Sequence, residues 1–180
     1  VVPSDKDDLE KLNEIMGVEG TLINSNRFVA QDRERYYWTN IPIAEIPESN
    51  ELVLRDIMET NVDEKYFYKK DFEIVDMNKK VCATLKVNTM QMSKRIYNPI
   101  FKCATLTCIS GGYQEKKVLD NGIPRKLTEI EYERLQGLPD NYTNVEINGR
   151  KISYTKRCSL CGNAWTLPVI KHIFSGLAVD

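Results

Sequence analysis

A single histidine, His172, leaves this 180-residue chain little means for Cys/His or Ser/His hydrolase chemistry. It stands one position off the apolar stripe of a C-terminal helical pattern, which points to a helix surface rather than to acid-base work. No apolar run approaches the roughly 20 residues that cross a bilayer. The opening Val1-Val-Pro-Ser-Asp-Lys6 also lacks the basic and apolar regions of a signal peptide. The expectation is a soluble intracellular protein without membrane contact. There is no methionine at position 1, which fits a piece of a longer polypeptide.

Cysteine is scarce and odd in number. Five residues, at 82, 103, 108, 158 and 161, read as reduced thiols. Cys103-x4-Cys108 with Cys158-x-x-Cys161 offers a four-thiolate zinc site as an alternative, but buried free thiols are the expectation and no metal is assigned. Large net charge is missing too: the formal value is −1, which excludes a uniformly basic nucleic-acid binder. The sum hides segregation, because residues 79–117 carry eight basic residues against one acid, Glu115, for a net +7. Such a stretch is either a phosphate-facing surface or a solvated lysine-rich face.

What is present is an ordinary globular composition, 42% apolar, enough for one core or two small ones. Ser4 and the acids Asp5, Asp7 and Asp8 suit a helix N-terminus, Leu9, Leu12, Ile15 and Met16 recur at helical spacing, and Gly17 is a stop. A helix over about 5–16 follows. Gly20–Asn24 and Arg35–Trp38 read as short strands, and Leu52–Glu59 as one or two helical turns. Tyr66–Tyr68, Cys82–Val87 and Cys103–Cys108 read as strands among loops, with Ser110-Gly111-Gly112 a turn or tip. Residues 43–118 thus form a small irregular β-rich unit. Thr128-x-x-Glu131 is a capping box for a helix ended by Gly137 and Pro139. Thr166-Leu-Pro168 starts a last helix over about 167–175, lined by Val169, Ile170, Ile173, Phe174 and Leu177.

Three strings carry more specific information: Gln31-Asp-Arg-Glu-Arg-Tyr-Tyr-Trp38, the run from Arg125 through Glu133-Arg-Leu-Gln-Gly-Leu-Pro-Asp140 to Tyr142, and Gly162-Asn-Ala-Trp165. Together and in this order they resemble the last three blocks of the DNA (cytosine-5)-methyltransferases, including phage enzymes and the animal de novo type. The unlike stretch between the first two falls where that family keeps its target-recognition domain. Leu54-Arg-Asp-Ile57, Asn61–Tyr66, Arg95-Ile-Tyr-Asn-Pro99 and Ala104-Thr-Leu-Thr107 resemble recognition-domain text. A complete member carries three further features upstream: a Phe-x-Gly-x-Gly loop for S-adenosylmethionine, a Pro-Cys nucleophile loop and a Glu-Asn-Val strand. None occurs here, and no cysteine follows a proline.

The resemblance implies an α/β fold, the C-terminal part of a Rossmann-like methyltransferase domain (1–42 and 119–180) around an inserted recognition domain (43–118). It implies S-adenosylmethionine as methyl donor, double-stranded DNA as one partner and an N-terminal half as the other. A flipped cytosine would meet Arg35 near its exocyclic oxygen, with Gln31 and Arg33 organising strand and loop; were the string to stand alone, arginines pairing with Asp32 and Glu34 would be the alternative. Gly162, Asn163, Ala164 and Trp165 would close the cofactor pocket, glycine allowing close approach and tryptophan offering a face; a core tryptophan is the alternative. Lys94, Arg95, Thr105, Thr107, Gly111 and Gly112 would meet DNA backbone or base edges. The run from Arg125 to Tyr142 would brace one domain against the other through Arg134, Leu135 and Gln136. The chain would be inactive alone. A catalytically silent DNA-binding or regulatory module is the competing function, and the biological role, restriction protection, phage self-modification or gene regulation, is left open by the residues.

Overall fold

Two carboxylates and a glycine bound the first helix. The computed structural model describes residues 2–48 and 50–177, and in it α1 runs Lys6–Met16. The cap is Asp5 rather than Ser4: its carboxylate accepts the Asp8 amide at 2.8 Å, joining a hydrogen bond to a negative charge at the positive helix end. Gly17, at φ +69°, closes it. The apolar stripe of α1 is only partly covered, however; Leu9 and Leu12 are half-buried, Ile15 is 77% exposed and no residue of the helix is buried. The strands β1 (Thr21–Asn24), β2 (Gln31–Asp32) and β3 (Glu34–Tyr37) follow, with β1 and β3 antiparallel and Ile23 opposite Arg35.

Residues 52–59 make one 3₁₀ turn, Leu54–Ile57, where the Asp56 carboxylate reaches back to the Val53 amide. The strand expected at Tyr66–Tyr68 does not form. Asp63 accepts the Lys65 amide and winds Glu64–Tyr66 into a 3₁₀ turn, leaving Phe67 a single bridge to Arg125. After it come β4 (Phe72–Ile74), β5 (Val81–Leu85), the single helical turn α2 (Gln91–Lys94), β6 (Arg95–Tyr97), β7 (Cys103–Ala104), β8 (Lys117–Asp120) and β9 (Ile123–Lys126). Five of these strands form one mixed sheet in the order β4-β5-β6-β8-β9, parallel only between β6 and β8. Asn121 and Gly122, both at positive φ, make the two-residue turn between β8 and β9.

The strand expected at Cys103–Cys108 is paired only over β7, parallel to β2. Beyond it side chains take over: Thr105 donates its hydroxyl to the Asp32 carbonyl at 2.7 Å, and the Leu106 amide donates to Gln31 Oε1 at 2.8 Å. Lys117, counted by sequence with the positive surface of 79–117, is in fact 1% exposed. Its ammonium donates to the carbonyls of Tyr113 and Glu115, and burial pushes its pKa down to about 8.

The capping box forms as expected on α3 (Glu129–Leu135), Thr128 Oγ1 accepting the Glu131 amide while Glu131 accepts that of Thr128. Arg125 and Glu131, both 0% exposed, meet in a two-pronged ion pair at 2.7 and 2.8 Å. A small hairpin, β10 (Glu146–Ile147) with β11 (Arg150–Lys151), leads to α4 (Tyr154–Asn163), which the sequence reading did not anticipate, and then to α5 (Leu167–Phe174). Arg157 of α4 is buried against Glu133 and Thr143. Thr166 stands at the N-cap of α5 as expected, but its side chain makes no capping bond; the hydroxyl donates to Gln136 Oε1 at 2.8 Å.

The central core draws on all parts of the chain, with Ala30, Leu54, Leu106, Val118, Tyr132 and Cys161 in one cluster. A second cluster lies on the five-stranded sheet and a third between β1 and α5. Cys82, Cys103, Cys158 and Cys161 are buried thiols, whereas Cys108 is exposed. Among the described residues no group of three or more His, Cys, Asp or Glu could hold a metal ion, so the four-thiolate alternative does not assemble. Among them, too, no helix is long and apolar enough to cross a membrane.

Candidate functional site

β3 with its flanking residues, the end of α1, the join between α4 and α5 and α5 itself border an open cavity of about 430 Å³. Arg33, Arg35, Asn163 and Trp165 all line it, so residues some 130 positions apart in sequence share one wall. Tyr36, Tyr37, Trp38 and Phe174 complete the aromatic part. Sequence reasoning names none of these four as site residues, although the aromatic run Tyr36-Tyr37-Trp38 is a signal for the first three. Trp165 is not core: it is 70% exposed, and Phe174 beside it is 54% exposed.

The two arginines differ in what holds them. Arg33 is 7% exposed and donates to the carbonyls of Leu106 at 2.8 Å and of Gly162 and Ala164 at 3.2 Å each. Three carbonyls from two distant segments thus fix its plane. Burial and the neighbouring Arg35 hold its pKa below the ordinary arginine value. Arg35 is half-buried and donates only to the carbonyl of Glu34, at 2.6 Å; among the described residues it makes no ion pair. The pairing of these arginines with Asp32 and Glu34 is not found, since Asp32 is taken by Lys80 at 2.5 Å.

Gln31 stands apart from the cavity. Fully buried, it donates to the Leu135 carbonyl at 2.9 Å and accepts from Leu106, locking β2 to α3 and to residues 105–109. Gly162 faces the protein's own backbone rather than open space: a Cβ there would lie 2.4 Å from the Thr107 carbonyl carbon and 2.7 Å from the Cys108 nitrogen. Its close approach therefore serves packing of α4 against residues 107–108. Asn163 is exposed and accepts from the Cys108 thiol at 2.8 Å, and Ala164 contributes its carbonyl to Arg33. In the brace from Arg125 to Tyr142, Arg134 grips Asp140 and the Ile57 carbonyl, and Gln136 donates to the Cys161 carbonyl at 2.5 Å.

The residues expected to face DNA are divided. Arg95 and Thr107 line a second hollow, of about 210 Å³, and Gly111 and Gly112 are exposed at φ +120° and +63° with open space where a side chain would be. Lys94 is half-buried at the end of α2, and Thr105 is turned inward to Asp32. Lys116, one of the basic residues of 79–117, borders the same hollow, as do Met90 and Met92, which sequence did not single out.

The sequence model of the family described as C-5 cytosine-specific DNA methylase matches residues 6–178. Among solved structures, the chain is similar to the Entamoeba histolytica methyltransferase EhMeth, with a TM-score of 0.60 and 16% identity, over 95% of this chain and 59% of that one. It is also similar to the S. pombe Dnmt2 methyltransferase, with a TM-score of 0.59 and 16% identity, over 94% of this chain and 60% of that one. At this identity the likeness shows a shared mixed α/β fold, and the chain spans about 60% of the length of the structures it matches.

Proposed function

The chain belongs to the C-5 cytosine-specific DNA methylase family, and on that premise we propose that it is the C-terminal half of a DNA cytosine-5 methyltransferase, inactive alone, which reads target DNA and completes the pockets for the flipped base and for S-adenosylmethionine. The observation that carries this reading is the convergence of Arg33, Arg35, Asn163 and Trp165 on one cavity. Residues 43–118, with the β8–β9 hairpin that completes their five-stranded sheet as far as Lys126, act as the recognition unit, and 1–42 with the rest of 119–180 as the catalytic portion.

Several surfaces support docking of an N-terminal half. The β1–β3 pair has no further strand partner among the described residues, and two-stranded sheets are marginal in water. Beside it lie the exposed Met16 at the end of α1, Trp165 and Phe174, all lining the cavity. No cysteine lines the cavity: four are buried, and the exposed Cys108 borders the second hollow instead. Burial raises the pKa of Cys82, of Cys103 to about 11, of Cys161 to about 12 and of Cys158 still higher, which suppresses their thiolates. The nucleophile and the acid therefore come from the other half.

In the assembled enzyme Arg35 places its unpaired charge at the exocyclic oxygen of the flipped cytosine, where negative charge develops as a thiolate adds to the ring. Arg33 holds the α4–α5 join at a set distance from β3, which fixes where Trp165 stands relative to Arg35. The lining residues fit part of the methyl donor. Trp165 presents a broad exposed face for an adenine ring and Asn163 a polar group at the rim, while no carboxylate lines the cavity, so acceptors for the ribose hydroxyls and the amino group belong to the docked half. When bound, S-adenosylmethionine supplies the methyl group.

The test is reconstitution: the chain, a candidate N-terminal half carrying the Pro-Cys and Glu-Asn-Val motifs, tritiated cofactor and cytosine-containing duplex. Transfer is expected only from the mixture and is expected to fall about 100-fold with Arg35→Gln, the typical loss for one donor to a developing oxyanion. Transfer by the chain alone, or binding of DNA with no transfer from any such mixture, would count for a different function.

A further inference from the structure

The hollow beside the recognition sheet has a composition suited to an anion. It lies where α2 meets β6 and where residues 107–108 pass the start of β8, and it is lined by two cations, Arg95 and Lys116, and by the neutral donors Ser93, Thr107 and Gln114. No carboxylate lines it. Among the described residues neither Arg95 nor Lys116 forms an ion pair, although charges nearby are matched. Lys80 is held by Asp32 at 2.5 Å, and Glu115 accepts from the Tyr68 hydroxyl and faces the Lys117 ammonium at 3.9 Å.

Lys116 is half-buried with its ammonium 5.9 Å from the Tyr97 ring centre. Burial, and then the charges of Arg95 and Lys80, hold its pKa below the usual lysine value. Two unmatched cations in a concave site repel one another, and an anion between them removes that cost. The rim is apolar and open, with Met90 67% and Met92 70% exposed. Next to it is the Gly111–Gly112 tip, tied to the hollow through the Gln114 amide and free of side chains that would keep a polymer backbone away.

We infer that this hollow seats a backbone phosphate of duplex DNA between Arg95 and Lys116, with Met90 and Met92 against the adjoining sugar. The inference rests on the DNA-reading role proposed above and adds which cations of the basic stretch 79–117 carry phosphate, together with a methionine rim that sequence reasoning did not pick out. A phosphate contact carries no base information, so its loss weakens binding to all sequences alike.

The experiment is fluorescence anisotropy of labelled duplexes with the 180-residue chain at several salt concentrations. Lys116→Met and Arg95→Gln are each expected to weaken binding about tenfold on unrelated sequences and to lower the slope of log K against log salt by about 1. Arg95 is exposed at the end of β6, so Arg95→Gln reports even if the half-buried Lys116→Met disturbs folding. Lys79→Gln, an exposed lysine paired with Asp76, should change neither quantity. Wild-type chain that binds no duplex overturns this inference and the DNA-reading role together. Binding that is indifferent to both substitutions overturns this inference alone, as does a loss confined to one base sequence. Dependence on Lys116 with an RNA duplex and not with DNA overturns the assignment to DNA.

Discussion

Replacing Gly162 by alanine probes the closest joint in the molecule. The added Cβ would stand 2.4 Å from the Thr107 carbonyl carbon, 2.5 Å from its oxygen and 2.7 Å from the Cys108 nitrogen. Carbon atoms in contact prefer about 3.5 Å or more, so residues 107–108 must retreat by about 1 Å. They are backbone atoms and cannot swing aside as a side chain can. The same segment supplies the Leu106 carbonyl to Arg33 and the Leu106 amide to Gln31, both at 2.8 Å, and these bonds stretch as it moves. Overpacking costs about 1–3 kcal/mol and a weakened charged hydrogen bond about 1 kcal/mol more, so Gly162→Ala should destabilise by about 2–4 kcal/mol. Urea unfolding followed by tryptophan fluorescence should show the midpoint falling by about 1–2 M. Asn163→Ala, which removes one exposed contact to Cys108, should lower stability by less than about 1 kcal/mol. An unchanged midpoint for Gly162→Ala would refute the packing argument and return Gly162 to a ligand-facing role.

Arg33→Lys cannot reach all three carbonyls with one ammonium and should lose about 2 kcal/mol, seen as a melting point lower by about 4–8 °C; a melting point within 1–2 °C of wild type would contradict the bracing role. Lys117 has a folded-state pKa of about 8 against an ordinary 10.5, so the unfolded chain binds the extra proton between those values and stability rises with pH across that window. The stability of wild type relative to Lys117→Met should therefore increase from pH 8 to pH 10.5 by up to about 3 kcal/mol in urea titrations, and a difference that is flat or falls with pH would be inconsistent with a buried, charge-penalised ammonium. Of the five thiols only Cys108 is exposed, so brief alkylation under native conditions should add one adduct by mass spectrometry, mapped to Cys108; prompt modification of Cys158 or Cys161 would contradict their burial.

Which parts of the fold could be read in advance follows from the range of the forces involved. α1, α3 and α5 formed where expected, because a capping acid, a capping box, a proline in the first turn and a terminal glycine act within a few residues. α4 went unseen because its buried face includes Arg157 and Gly162, and hydrophobic period does not register a buried arginine whose partner, Glu133, is 24 positions away. The strand expected through Cys108 failed for a related reason. Residues 105–108 alternate as a strand would, yet the Leu106 amide and carbonyl are met by the Gln31 side chain and the Arg33 guanidinium, each from more than 70 residues off.

The candidate site divides in the same way. Motif order was enough to name Arg33, Arg35, Asn163 and Trp165, and the chain by itself determined its family and the local stops and starts of its helices. Only the tertiary structure decided which of those side chains face a common cavity, that Gln31 and Gly162 are internal joints, that Lys117 is sealed in while Lys116 is left unmatched, and that Trp165 stands in the open. A side chain's exposure and charge balance depend on atoms brought near by folding, and sequence distance carries no record of that proximity.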